Sequence, residues 1–235
     1  MSTLPISKLW ADFTNIFFPD LCIACRNRPP QPSIPICVTC ENSLSLTNFH
    51  EHEENDLLER FWGRVPIKYG AALFYFQKNS AIQELFHQLK YNNNPKIGVL
   101  LGEWYGYELR KSHFMEIDAI IPVPLHPKKL HLRGYNQSDS IAQGLGKALQ
   151  KPIYTKALVR IENTETQTKK TRMERFDNVK NAFQVNEPNL IKGKHLLIVD
   201  DVLTTGATIE ACALKLLEIE GVTISIATIA IGQSS

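Results

Sequence analysis

Residues 196–208 read LLIVDDVLTTGAT. An apolar run enters two adjacent aspartates and then a set of small hydroxyl residues around one glycine. Such a run is buried on both faces, which is the mark of a strand in a parallel, helix-covered sheet. The residues after it supply a chain reversal and the entry to a helix. Asp200 and Asp201 therefore fall at the carboxyl end of a strand, the edge at which open α/β sheets bind ligands.

The rest of the chain fits the same class. Strands are expected at 69–76, 118–124, 196–201 and 222–231. Helices are expected at 80–91, with Ser80 as N-cap, from Pro95 to about Lys111, at 136–150 and at 206–220. Strands alternating with helices give an α/β fold, a mostly parallel sheet flanked by helices. A chain of 235 residues accommodates one such domain plus a small module. We divide it into a lead-in helix with a cysteine module (1–48), a linker (49–64) and the α/β domain (65–235). HEHEENDLLER (50–60) reads as a solvated linker or helix surface, against the alternative of a metal held by its two histidines.

Net charge is only +2, so anion binding must come from local clusters rather than a global field. No run approaches the roughly 18 apolar residues of a membrane span. Leu9, Trp10, Phe13, Ile16 and Phe17 have helical spacing, without the features of a signal peptide. The expectation is a cytoplasmic chain with reduced cysteines and no membrane association.

Cys22 and Cys25 form one C-x-x-C and Cys37 and Cys40 a second. Four thiolates match tetrahedral zinc, and a segment so poor in apolar surface draws its folding energy from the metal. A closed four-sulfur site is structural rather than catalytic. The redox alternative would need a βαβ context that neither pair has. Cys212 lies in an apolar helix and reads as core.

At 200–208 the chemistry is more specific. A helix N-terminus offers unpaired N–H groups and partial positive charge to a phosphate. Thr204, Thr205 and Thr208 add hydroxyls, and Gly206 lets the backbone come close. The carboxylates would repel a phosphate, so they suit sugar hydroxyls or a metal ion. The ligand implied is a ribose 5-phosphate with a hard cation. No G-K-[ST] occurs, so this is not a Walker loop.

LLIVDDVLTTGAT resembles the fingerprint of the type I phosphoribosyltransferases. IPVPLHPKKLHLRGYNQ (121–137), QTKKTRMERFDNVKNAF (167–183) and the leading cysteine module are similar to the ComF family of competence proteins. The resemblance implies that phosphoribosyl pyrophosphate and magnesium bind here. Asp200 and Asp201 would contact the ribose, and Thr204, Thr205, Gly206, Ala207 and Thr208 would hold the 5-phosphate. Lys128, Lys129 and Arg133 would face the pyrophosphate. Gln167, Thr168 and Arg172 would belong to a loop that closes over the site. It implies pentosyl transfer within nucleoside metabolism, with no acceptor identified. The alternative is a non-catalytic binding module that contacts single-stranded DNA and competence proteins during DNA uptake. Its track would be the basic clusters at 128–133 and at Lys169, Lys170, Arg172 and Arg175, with Tyr135 nearby. LKY (89–91) also recurs in the family pattern; the sequence assigns Lys90 no role beyond closeness to the phosphate site, and a snorkelling surface lysine fits it equally well.

Overall fold

A computed structural model describes residues 21–32, 34–77, 80–91, 94–161 and 182–232. The expected lead-in helix and the basic stretch 162–181 lie outside the described residues. The main sheet has four strands: β1 (Gly70–Phe76), β2 (Ala119–Pro122), β5 (His195–Leu203) and β6 (Thr223–Gly232). Their order is β1-β6-β5-β2, and every neighbouring pair is parallel. β5 is thus an inner strand, with Asp200 opposite Thr228 of β6. Leu196–Val199 and Ile224–Ile231 are buried throughout, as continuous apolar runs in a covered sheet should be.

Helices Pro95–Leu109 and Gln137–Leu149 pack on one another and on this sheet. A Cβ on Gly102 would stand 2.1 Å from the Ile141 carbonyl oxygen, and one on Gly144 2.1 Å from that of Val99. The two backbones therefore touch, and no larger residue fits at either crossing point. Helix Ala207–Leu217 packs against β5 and β6 and against β4 (Phe183–Val185). β4 pairs antiparallel with β3 (Leu158–Arg160) in a two-stranded ribbon. That ribbon was not expected, because each strand is three residues long and carries no usable period.

Two segments differ from their sequence reading. The stretch 125–135, expected as a loop between a strand and a helix, contains the helix Pro127–Arg133. Pro127 at its start fixes a helical φ, the His126 ring accepts from the Lys128 N–H at 3.2 Å, and Gly134 ends it at φ 75°. Residues 49–64, read as a linker, are packed: Phe49, Leu57, Leu58 and Phe61 are buried. The acidic surface of HEHEENDLLER hides a short helix, Asp56–Glu59. Asn55 caps it by accepting from the N–H groups of Leu57 and Leu58 at 3.1 and 3.2 Å.

Candidate functional site

β5 runs two residues past its expected end, to Leu203. Only Thr204, Thr205 and Gly206 are left to turn the chain into helix Ala207–Leu217. Gly206 takes φ 80°, and a Cβ there would stand 3.0 Å from the Phe61 ring. A glycine is required both by the backbone and by its neighbour. As N-cap it carries no side-chain acceptor, so the helix start is left without a side-chain cap. Among the described residues, Thr205 Oγ1 is the side-chain acceptor there, 3.5 Å from the Ala207 N–H.

The turn is held from behind. The Arg60 guanidinium donates to the carbonyls of Thr204 and Gly232. Arg64 donates to the Thr205 carbonyl at 3.4 Å and pairs with Glu210 in the first turn of the helix. Two consecutive carbonyls of the turn are thereby fixed on cations, and the uncapped helix N–H groups remain for an anion. Thr204 and Thr205 are exposed, Ala207 and Thr208 partly so. Together with Asp200 these residues line a small cradle of about 40 Å³.

The two acids differ in surroundings. Asp200 Oδ1 accepts from the Ser138 hydroxyl at 2.9 Å and from the Asp201 N–H at 2.9 Å. Burial, then the neighbouring Asp201 charge, push its carboxyl up to about 7, against the opposing pull of those hydrogen bonds and of Lys90. Asp201 Oδ1 accepts from the Val202 N–H at 2.7 Å, and its Oδ2 lies 3.0 Å from Lys90 Nζ. The pair is thus part-neutralised, one member by a raised affinity for a proton and the other by an ammonium.

Of the three cations expected to face the pyrophosphate, Arg133 is the one connected to the acids through side-chain contacts. It donates to Gln137 Oε1 at 2.9 Å, and Gln137 opens the helix whose Ser138 holds Asp200. Lys128 and Lys129 are exposed on helix Pro127–Arg133, which buries none of its residues. Among the described residues neither forms an ion pair with the acids. Arg172, Gln167 and Thr168 lie outside the described residues, in the stretch bracketed by the β3–β4 ribbon.

The four cysteines converge. Their sulfurs all lie within 4.8 Å of one another, and Cys25 and Cys37 are 3.8 Å apart. Four sulfurs around zinc at ~2.3 Å stand about 3.8 Å apart, so the group fits a tetrahedral ion with no position left open. Burial raises the Cys22 thiol, but the N–H groups of Cys25, Cys37 and Ala24 outweigh it and bring it down to about 7. Burial and the neighbouring sulfurs push Cys40 up. Such a thiol stays protonated unless a cation takes its charge. Cys212 is fully buried, as expected.

Sequence reasoning missed Ser138, Arg60, Arg64 and Phe61, and it named Lys90 without its partner Asp201. Ser138 had a legible signal, the N-Q-S entry to a helix. The two arginines had none, because their partners are backbone carbonyls 141 to 172 residues away.

Comparison with known proteins gives the family. A family model described as "Phosphoribosyl transferase domain" matches residues 134–235. Competence protein F of Haemophilus influenzae is 30% identical over 208 residues, 86% of each chain. DNA utilization protein YhgH of Shigella flexneri is 34% identical over 149 residues, 62% of this chain and 65% of that one, so the chain spans just under two thirds of that relative. Among solved structures, a glutamine phosphoribosylpyrophosphate amidotransferase from B. subtilis is similar at 19% identity and a TM-score of 0.41, covering 60% of this chain and 30% of that one. The fold is of the type I phosphoribosyltransferase kind, a mostly parallel sheet flanked by helices, with four cysteines clustered near the N-terminus. No helix among the described residues is long and apolar enough to cross a membrane. On its likeness to competence protein F over 86% of each chain, the chain belongs to the ComF family.

Proposed function

We propose that this chain binds phosphoribosyl pyrophosphate, or a closely related ribose 5-phosphate, with magnesium, and acts as a phosphoribosyltransferase. The observation that carries the reading is the uncapped helix start at Gly206–Ala207 beside Asp200 and Asp201. In this reading residues 65–235 form the ligand domain, 1–48 the zinc module, and 49–64 tie the two together. The 5-phosphate sits on the N–H groups of 205–208, and the acids accept from the ribose hydroxyls. Magnesium, which suits carboxylate oxygens, would offset the charge of the diphosphate. Arg133, Lys128, Lys129 and Arg172 are the cations for the departing pyrophosphate. The protein supplies positioning and charge, and no covalent nucleophile is required. The test is pyrophosphate release from the donor with a panel of nucleobases and amines. Release with one acceptor supports transfer, and silence across the panel counts against it.

A second reading has its own observation. Helix Pro127–Arg133 buries nothing and displays Lys128, Lys129 and His131, with Leu132 83% exposed. With relatives named for DNA utilization and competence, it supports a binding module that contacts single-stranded DNA and competence proteins at that helix. Binding that weakens steeply with salt and is lost in Lys128→Ala/Lys129→Ala would favour it.

A further inference from the structure

The last turn of helix Ala81–Tyr91 touches three separate parts of the molecule. Gln88 is 1% exposed and faces the cysteine module. Its Oε1 accepts from Arg26 Nε at 3.0 Å, and its Nε2 donates to the Ala24 carbonyl at 3.2 Å. The Leu89 carbonyl accepts from the Tyr135 hydroxyl, in the segment that follows the basic helix. Lys90 pairs with Asp201. We infer that Lys90 is a ligand-contacting, specificity-determining residue of the ribose-phosphate site, positioned through Gln88 by the cysteine module. The inference rests on the ribose-phosphate reading and adds to it the residue that selects for ligand charge.

The geometry carries it in three steps. First, Lys90 is not a solvated surface lysine. Its side chain is 27% exposed and that of Asp201 16%, and its ammonium lies 5.4 Å from the centre of the Phe86 ring. It therefore sits at the rim of the acid pair, held on two sides. Second, an ammonium has three N–H donors, and a single carboxylate oxygen takes one. Asp201 is its ion-pair partner among the described residues, so donors remain for an anionic oxygen placed beside the acids. Asp201 itself is fixed from behind by the Val202 N–H, so Lys90 need not leave it for a ribose hydroxyl to approach. Third, the ligand is a polyanion and the site presents two carboxylates. A cation 3.0 Å from one of them removes much of the repulsion, and it does so most for the ligand of highest charge.

Positioning comes from the metal module. Arg26 follows Cys25 directly and adopts φ 54°, and its N–H closes the first C-x-x-C turn on the Cys22 carbonyl at 2.9 Å. The shape of that turn sets where the Arg26 guanidinium meets Gln88, two residues before Lys90. The zinc module thus reaches the ligand site through one buried amide.

The experiment measures the affinity of the full, zinc-loaded chain by calorimetry with magnesium, for phosphoribosyl pyrophosphate and for ribose 5-phosphate. Lys90→Gln should weaken phosphoribosyl pyrophosphate by about tenfold or more, ~1.4 kcal/mol, and ribose 5-phosphate by roughly threefold or less. Lys90→Arg should restore both. Gln88→Leu, with zinc retained, should reproduce the same unequal loss with the charge intact. Should Lys90→Gln lose its fold by circular dichroism, Lys90→Met takes its place. Equal losses for the two ligands, or none, overturn the role of Lys90 while leaving the ribose-phosphate reading standing. A wild-type chain that binds neither ligand overturns that reading, and the role of Lys90 with it.

Discussion

Replacing Gly206 by alanine tests the architecture of the loop most sharply. Two independent costs apply. The left-handed φ of 80° costs an L-residue about 1–2 kcal/mol. The added Cβ meets the Phe61 ring at 3.0 and 3.1 Å, and Phe61 is 1% exposed, so it has no free space to retreat into. Crowding of that kind costs about 1–2 kcal/mol more. The sum is ~2–4 kcal/mol, a fall in Tm on the order of 4–16 °C for a chain of this size. Urea titration and thermal melting of Gly206→Ala, Phe61→Leu and the double variant separate the two terms. The φ term persists in the Phe61→Leu background, whereas the crowding term vanishes there. Gly206→Ala should then cost about half as much in that background. The same substitution displaces the N–H groups of 205–208, so phosphate-ligand affinity should fall by at least about tenfold. A stable Gly206→Ala chain with unchanged affinity would refute both the strain and the anion-binding role of the turn.

Other substitutions probe the remaining parts. The raised Asp200 carboxyl makes ionisation costly in the folded chain, so its penalty is absent below the unfolded pKa near ~3.9 and grows as pH rises to about 7. Asp200→Asn should therefore stabilise the ligand-free chain by roughly 1–3 kcal/mol at pH 8 and by almost nothing at pH 4, read from urea midpoints at both pH values. Ligand affinity in the wild type should rise around pH 7, where Asp200 loses its proton in the folded chain. Arg60→Ala frees the Thr204 and Gly232 carbonyls and should weaken ribose 5-phosphate binding by roughly tenfold with zinc retained, measured by calorimetry. The purified chain should carry about one zinc, and Cys37→Ser should lose it and expose residues 21–41 to protease.

The sequence made legible whatever local pattern and residue chemistry decide. The four strands of the main sheet follow from apolar runs, and Asp200 and Asp201 fall near the carboxyl end of β5, where its apolar run gives out. The cysteine cluster follows from its spacing, and its convergence needs no long-range knowledge. The short helix Pro127–Arg133 was also written in the chain, as a proline start and a glycine stop. It was overlooked because none of its side chains is buried and so no apolar period marks it. Residues 49–64 misled for the opposite reason: their charged letters dominate, yet Leu57, Leu58 and Phe61 provide the anchor. What no sequence pattern could reveal is partnership across the fold. Arg60 and Arg64 meet backbone carbonyls, which are chemically identical at every residue. Lys90 meets Asp201 only because helix Ala81–Tyr91 is fixed by Gln88 and Leu89 at that height. Ser138 reaches Asp200 from a helix that packs on β5 from elsewhere in the chain.

One titration bears on the account more directly than any other. Phosphoribosyl pyrophosphate with magnesium is added to the zinc-loaded wild type and to Asp200→Asn/Asp201→Asn. The wild type should bind, and the double variant should show no saturable heat while holding its zinc and its fold. Equal affinity in the two proteins would contradict the placement of a ribose beside these carboxylates.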